Sequence, residues 1–433
     1  MLAQLRSRLT AGWRLTLACL AVLALLGAAT AAAGTDKKKP KKKPKKPVPV
    51  GAVYTQTNDP AANSVVVFNR YANGTLKKRQ AVSTGGKGSS QSVGCGPGCP
   101  ILDSQNAVVV SRDGKFVFAV NAGSNTVSSF AESTSGLKQV SQAPSGGTMP
   151  ESLALYGDLL YVLNVATTNA NGTTGNIYGF RISSSGALTA LGSSQPLANA
   201  APPDHSADPR AIDIDPTGKV IVVTELVGGL LKGGPPGAID TFVVGADGKA
   251  GPAVAHPTSD TFPFGFGFDN KGHVIVSQLH VPDNKTIGSV STYAISSSGG
   301  VTPIDTKSSE GVLPCWNVTT SSGNFTYVVN TGAGLPASVK GFGLSASGGL
   351  TPLGAPVVGA GEFARTDAAL SRDSTYLYVL SPQVVPPGAV PGVTPVPSHI
   401  DEYRLGGDGS LTLIGSTPAG ANLGIGATGL AAR

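Results

Sequence analysis

The sequence predicts an all-β fold, a seven-bladed β-propeller, because one hairpin pattern recurs along the chain and the two chain ends complement each other. The clearest copy of the pattern spans residues 108–130, VVVSRDGKFVFAVNAGSNTVSSF. Its apolar runs predict strands at residues 108–111, 116–120 and 126–130, and the Asp-Gly pair between the first two predicts a hairpin turn. These strands would form most of one blade.

The same turn occurs six times, each time between a small or apolar run and a β-rich run. A third strand follows each copy, and a fourth comes after another turn that contains glycine. Each unit therefore predicts a four-stranded antiparallel blade. The aligned turn positions are Gly114, Gly157, Gly218, Gly272, Gly323 and Ser374.

The chain ends predict the seventh blade. Residues 51–82 supply a second, a third and a fourth strand but no first strand, whereas residues 427–433 are a lone strand-like run. Pairing of this C-terminal run with residues 51–57 would close the ring and leave few open sheet edges. We therefore expect one propeller domain over residues 51–433.

Residues 1–33 predict a secretory signal peptide. Three arginines precede a short apolar run at residues 15–28, and small residues follow it up to Ala33. An uncleaved membrane anchor is the alternative, although the run is shorter than the ~20 residues that span a bilayer comfortably. We therefore expect a secreted protein, either extracellular or associated with the cell envelope.

Residues 34–50 predict a disordered tail rich in lysine and proline. The eight lysines from Lys37 to Lys46 favour attachment to an anionic cell-envelope polymer, and a solvated spacer is the alternative. We expect no nucleic acid as a partner, because the segment has no aromatic residue to stack on bases. The chain has 32 basic and 25 acidic residues, of which the first 47 positions hold 11 basic residues and 1 acidic residue. The propeller is therefore left with 21 basic and 24 acidic residues.

Two of the cysteines lie close together in the sequence. Cys95 and Cys99 are four positions apart in a Gly/Pro loop, and an oxidising compartment favours a disulfide between them. A metal knuckle is the alternative, but the sequence offers no second pair of ligands, so we expect neither a metal nor a cofactor. Cys315 is interpreted as a small buried residue.

In a propeller the first strands line the central channel, and the chain before each first strand and after each second strand opens on the same face. Polar residues at these positions predict a ring at the channel mouth. We expect a ligand pocket there, lined by Glu151, Asn121, Asn164, Asn330 and, from the loop ahead of the fourth blade, His205.

The fourth blade brings the densest charge to this ring. Arg210 begins its first strand and Glu225 ends its second, so the hairpin predicts that they lie side by side. A carboxylate beside a guanidinium group could activate water while the arginine stabilises an oxyanion. A structural salt bridge between the two ends of the hairpin is the alternative.

Residues 53–76, 107–130 and 208–226 resemble the lactonase family of seven-bladed propellers, which includes propeller-type phosphogluconolactonases and carboxymuconate cyclases. DPRAIDIDPTGKVIVVTEL, residues 208–226, is similar to the family's Pro-Arg-His, His-Pro-x-Gly-Lys and Asn-Glu-Leu pattern. On this match Arg210 corresponds to the family's active-site arginine and Glu225 to its glutamate. Ala211 stands where the family has a histidine, and Ser104-Gln105-Asn106 replaces its His-x-His segment.

The resemblance implies hydrolysis of a lactone or cyclic ester at the channel mouth. Arg210 and Glu225 would be the catalytic residues, and the partner would be a small lactone or sugar-like ligand. The missing histidines keep a second function open, that of a non-catalytic extracellular binding or scaffold propeller at the cell envelope. In both cases we expect a monomer.

Overall fold

The computed structural model of this chain describes residues 46–89, 102–165, 175–198, 208–226, 237–258, 261–280, 287–331, 337–359, 365–382, 397–420, 423 and 426–433. The chain divides into two units, Met1–Lys46 and Pro47–Arg433, and the account below concerns the second. The predicted signal peptide, all of the lysine-rich run except Lys46, and Cys95, Cys99 and His205 lie outside the described residues.

The second unit is an all-β ring of seven four-stranded antiparallel sheets, which confirms the predicted propeller. A single turn of 3₁₀ helix, Ala122–Ser124, follows the strand that ends at Asn121, and within the described ranges no helix is long and apolar enough to cross a membrane. Blades 1 to 4 contain β28 (Thr428–Ala432), β1 (Gly51–Gln56), β2 (Ser64–Arg70) and β3 (Leu76–Ser83); β4 (Val108–Val110), β5 (Phe116–Asn121), β6 (Thr126–Ser133) and β7 (Gly136–Pro144); β8 (Pro150–Tyr156), β9 (Leu159–Asn164), β10 (Asn176–Ile182) and β11 (Leu188–Pro196); and β12 (Pro209–Ile214), β13 (Val220–Glu225), β14 (Ala238–Val243) and β15 (Val254–Pro257). Blades 5 to 7 contain β16 (Thr261–Phe268), β17 (His273–His280), β18 (Ile287–Ile295) and β19 (Val301–Val312); β20 (Pro314–Thr319), β21 (Phe325–Asn330), β22 (Ser338–Leu344) and β23 (Leu350–Val358); and β24 (Asp367–Leu370), β25 (Tyr376–Ser381), β26 (His399–Leu405) and β27 (Leu411–Pro418).

The ring closes through the two ends of the chain, as predicted. Strand β28 pairs antiparallel with β1, so that Tyr54 lies opposite Ala431. Blade 1 therefore takes its first strand from the C-terminal end and its other three from the N-terminal end of the propeller. This pairing removes the open edges that an unclosed ring would expose.

All six aligned turn positions have a positive φ, which explains why the turns recur in the sequence. At Gly114 φ is 74°, a conformation that glycine adopts without steric cost. At Ser374, where the sequence breaks the glycine pattern, φ is still 52°. The turn is thus a requirement of the blade geometry, and Ser374 adopts it despite its side chain.

The core lies between neighbouring blades. Second strands such as β9 are buried along their whole length, whereas fourth strands such as β11 alternate between half-buried and exposed residues. The inner strands of each blade are covered on both faces, because their side chains pack on the two adjacent blades. For example, Phe118 and Val120 of blade 2 share a cluster with Leu160 and Val162 of blade 3. This packing accounts for the unbroken apolar runs in the second strands.

The closure strand offers a direct test of the fold. Leu430 of β28 is buried in the cluster between blades 7 and 1, so we expect Leu430→Ala to lower the free energy of unfolding by about 2–4 kcal/mol. The matched control is Leu413→Ala on the exposed edge strand β27, which should cost less than about 0.5 kcal/mol. Urea denaturation followed by circular dichroism measures both. Equal losses in the two variants would show that β28 does not belong to the packed core.

Candidate functional site: the channel mouth

Residues 102–106, which we call the axial segment, lie across the mouth of the central channel. Their hydrogen bonds reach the first strands of blades 1, 3, 4, 5 and 6, and only a position near the propeller axis allows one short segment to reach five blades. The bonds run from Thr428 Oγ1 to Leu102 O (3.2 Å), from Ser104 Oγ to Glu151 O (2.8 Å), from Gln105 N to Arg210 O (3.1 Å), from Gln105 Nε2 to Phe266 O (2.6 Å) and from Trp316 Nε1 to Ser104 O (3.0 Å).

The Gln105 amide is the centre of this arrangement. Its Nε2 donates to the Phe266 carbonyl, and its Oε1 accepts from the Asn317 amide at 3.0 Å, so one side chain bridges blades 5 and 6. Gly265 makes room for it, because a Cβ there would lie 2.3 Å from Gln105 Oε1. Residues 102–105 are all buried as a result. The segment that replaces the family's His-x-His thus joins the first strands to one another.

Arg210 is fully buried beside the axial segment, at a bulge between β12 and β13. Its guanidinium group donates to Asp208 Oδ1 at 2.7 Å and to the Asp103 carbonyl at 3.1 Å, and it lies 5.6 Å from the centre of the Phe264 ring. The register sets Pro209 opposite Glu225, so Arg210 and Glu225 occupy the same end of the hairpin. Sequence reasoning missed Asp103 and gave Asp208 no role as a partner of this arginine, because neither belongs to the repeated pattern.

The acids around Arg210 are strongly desolvated. Burial raises the pKa of Asp103 to about 6, although the Arg210 charge opposes the shift. Burial also raises the pKa of Glu151 well above its ordinary value, again against the attraction of Arg210. Both Glu151 oxygens are buried without a hydrogen-bond partner among the described residues. Burial therefore favours the protonated form of Glu151, which is able to donate a proton.

Glu225 lies beside a second carboxyl group, that of Asp240 on β14. The two are diagonal neighbours across the β13–β14 pair, because Glu225 is opposite Ala238 and Asp240 is opposite Val223. Burial raises the pKa of Asp240, and hydrogen bonds with the Ala198 amide and with the Glu225 side chain lower it in part. The Ala198 amide donates to Asp240 Oδ2 at 2.7 Å and fixes this side chain. Adjacent buried carboxyl groups favour sharing one proton, because ionisation of the first makes ionisation of the second more costly.

The three predicted asparagines join neighbouring blades. Asn164 donates to the Ser145 carbonyl at 3.0 Å, and Asn330 donates to the Ser309 carbonyl at 3.2 Å. Asn121 accepts from Asn63 Nδ2 of blade 1 at 3.0 Å. In each case the asparagine ends a second strand and contacts the preceding blade.

A glycine makes room for each of these amides. A Cβ at the glycine would approach the amide-bearing side chain to between 2.3 and 2.6 Å, in the pairs Gly86 with Asn121, Gly147 with Asn164 and Gly311 with Asn330. The paired glycine at or just after the end of the preceding blade's fourth strand is a signal that the sequence contained. It would have indicated a structural role for these amides alongside the predicted ligand-binding one.

Blade 7 holds another fully buried arginine, Arg365, which sequence reasoning did not select. Arg365 Nη2 lies 3.2 Å from Asp401 Oδ2, and neither side chain is exposed. Asp401 occupies the position on β26 that Asp240 occupies on β14, as the third-strand sequences Ile-Asp-Glu-Tyr and Ile-Asp-Thr-Phe show. These two blades therefore carry an acid at a site where blades 2 and 5 have serine.

Two further expectations concern metals and Cys315. In the described part of the chain, no three His, Cys, Asp or Glu side chains converge as metal ligands. Cys315 is buried, as interpreted from the sequence, and burial raises the pKa of its thiol.

Comparisons with known proteins agree with this architecture. A family model described as "Lactonase, 7-bladed beta-propeller" matches residues 61–201, which confirms the resemblance found in the sequence. The periplasmic gluconolactonase of Pseudomonas aeruginosa superposes with a TM-score of 0.61 at 15% identity, over 88% of this chain and 98% of that one. A candidate 6-phosphogluconolactonase from Bacteroides fragilis gives 0.58 at 17% identity, over 88% and 98%, and another from Bacteroides uniformis gives 0.58 at 17%, over 85% and 96%. At these identities the superpositions show a shared fold. No curated protein sequence is significantly similar to this chain.

The contact between Asn330 and Gly311 is testable. We expect Gly311→Ala to lower the free energy of unfolding by about 1–3 kcal/mol, because a Cβ there would lie 2.3 Å from Asn330 Nδ2 in a buried contact. The control is Gly407→Ala, where a Cβ meets no atom within 4 Å. Thermal unfolding of both variants gives the comparison. A Gly311→Ala variant as stable as Gly407→Ala would mean that the contact is loose and does not join blades 5 and 6.

Proposed function

We propose that this lactonase-like seven-bladed propeller hydrolyses a lactone or cyclic ester at its channel mouth. The observation that supports this most is the buried pair of Glu225, on the hairpin that also carries Arg210, and Asp240, on the adjacent strand β14. The family match over residues 61–201 supports the same reaction class.

The acid pair supplies a base for water. A pair that shares one proton keeps one carboxylate at neutral pH, and in this proposal that carboxylate removes a proton as the water oxygen attacks the lactone carbonyl. Asp240 is held by the Ala198 amide and so keeps Glu225 in place. Glu225 is the member that ends its strand at the mouth, so we assign it the role of base.

Glu151 and Arg210 would serve the other half of the reaction. When the bond between the carbonyl carbon and the ring oxygen breaks, the ring oxygen leaves and needs a proton. The protonated Glu151 carboxyl can donate it. The Arg210 charge lies close enough to Glu151 to affect its pKa, so it would also stabilise the negative charge that develops on the carbonyl oxygen. The product is the open-chain hydroxy acid.

The base is tested by Glu225→Gln, which removes the ionisable group and keeps the shape. We expect hydrolysis of a sugar-lactone panel, which includes glucono-δ-lactone and its 6-phosphate, to fall about 10²–10⁴-fold once spontaneous opening is subtracted. Acid release measured with a pH indicator gives the rate. As a control, Asp158→Asn replaces an acid in the β8–β9 hairpin turn, at the opposite end of the blade, and should leave the rate unchanged. A Glu225→Gln rate equal to that of the unmodified protein would rule out this residue as the base.

The shared proton predicts a distinct pH effect for Asp240→Asn. The rate depends on an ionised Glu225, so it rises with pH through the first ionisation of the pair. At that step Asp240 is neutral, and its hydrogen bond stabilises the carboxylate that forms. The amide of Asn is a weaker donor, so we expect the acid limb of the pH–rate profile to move up by about 1 unit while the rate at neutral pH is largely kept. The profile is recorded between pH 4 and 9. An unmoved limb would show that the two groups titrate independently.

A second candidate function is that of a non-catalytic propeller, and one observation favours it. Arg210 is fully buried and holds the axial segment through Asp103, which is what a structural residue would do. In that case a lactone or sugar-like ligand would bind reversibly and be recovered unchanged, without turnover by any member of the panel. For either function we also propose that the chain is secreted and that Lys37 to Lys46 attach it to an anionic envelope polymer.

A further inference from the structure

The propeller contains a cavity on its axis that the proposed reaction does not use. It has a volume of about 250 Å³ and lies in the half of the channel nearer the first hairpin turns, and Asn106 of the axial segment lies at its other end. We call it the axial well. Its wall is aliphatic and comes from several blades, with Val110, Leu155, Val318 and Ala369 among the lining side chains.

One ionisable side chain interrupts this wall. Asp213 of β12 lines the well, and one of its oxygens accepts the Ile214 amide at 2.8 Å. The described residues that line the well include no lysine, arginine or histidine. The nearby charge that bears on Asp213 is another acid, Asp215 in the following turn. A carboxylate in an apolar wall without a counter-ion is costly, because buried charges are stabilised by pairing.

The titration of Asp213 agrees with this geometry. Burial raises its pKa to about 7, and repulsion from Asp215 adds to the shift. The side chain therefore exchanges between its neutral and charged forms near physiological pH. A cation that enters the well would stabilise the charged form.

We propose that the axial well binds a small aliphatic ammonium ion, whose head pairs with the Asp213 carboxylate and whose hydrocarbon part packs on the aliphatic wall. At roughly 30 Å³ for each water-sized group, the cavity holds about eight non-hydrogen atoms, enough for an amine with a short alkyl chain. No aromatic ring lines the described wall, so the well lacks the cage that selects quaternary ammonium ions. A primary ammonium group, which donates hydrogen bonds to a carboxylate, is the better fit.

Calorimetric titration of the full chain with n-butylammonium chloride tests this site. We expect saturable binding that tightens about tenfold between pH 6 and pH 8, because the ionised fraction of a carboxyl group with a pKa of about 7 rises by that factor. Asp213→Asn preserves the shape and the bond from Ile214, and it should weaken binding at least tenfold and remove the pH dependence. 1-Butanol, the neutral analogue, should bind the unmodified protein at least tenfold more weakly than the ammonium ion.

Two further variants separate the site from general effects. Val318→Phe fills the well but keeps the carboxylate, so it should abolish binding. Asp247→Asn removes an acid from an exposed turn of blade 4 and should change nothing. Absence of binding by the unmodified protein at millimolar n-butylammonium, equal binding by Asp213→Asn, or equal binding of 1-butanol would each overturn the proposal. Lactone hydrolysis uses other residues, so its success or failure is read separately.

Discussion

The hydrogen bonds of the Gln105 amide hold the axial segment across the channel, and the chemistry of the mouth follows from them. With that segment in place, the first strands of five blades are joined through one short piece of chain. Glu151 and Arg210 are fully buried next to this segment. The raised pKa values of Glu151 and Asp103 are consequences of burial.

The fold could be predicted because its signals are local and repeated. The first hairpin turn of each blade needs a positive φ, and five of the six aligned positions are glycine. The exception, Ser374, was still identified because apolar runs flank it on both sides. Ring closure was predictable for a related reason, since a missing first strand at one end and a lone strand at the other satisfy each other's unpaired edges. Neither inference needed knowledge of a side-chain contact.

The site was less predictable, because its contacts are long-range and specific to single blades. The position of Arg210 and Glu225 at one end of a hairpin followed from the repeat, but the bond from Arg210 to the Asp103 carbonyl joins residues 107 positions apart in the sequence. Asp240 lies on a third strand, whereas the repeat pattern places only the ends of first and second strands at the channel mouth. The asparagines were selected for their polarity, whereas the glycines that accommodate them belong to the preceding blade.

The distribution of charge around the axis has a consequence for the kind of lactone that would suit this mouth. In the described part of blades 3 and 4, Glu151 and Asp208 lie near Arg210, and the axial segment adds Asp103. Glu225 and Asp240 form a second acidic group on blade 4. A substrate that carries a phosphate or a carboxylate would face repulsion from whichever of these groups is ionised, in surroundings where little water screens it. A neutral lactone would meet no such repulsion and could accept a hydrogen bond from the protonated Glu151. If the mouth is catalytic, its electrostatics therefore favour neutral sugar lactones over phosphorylated ones.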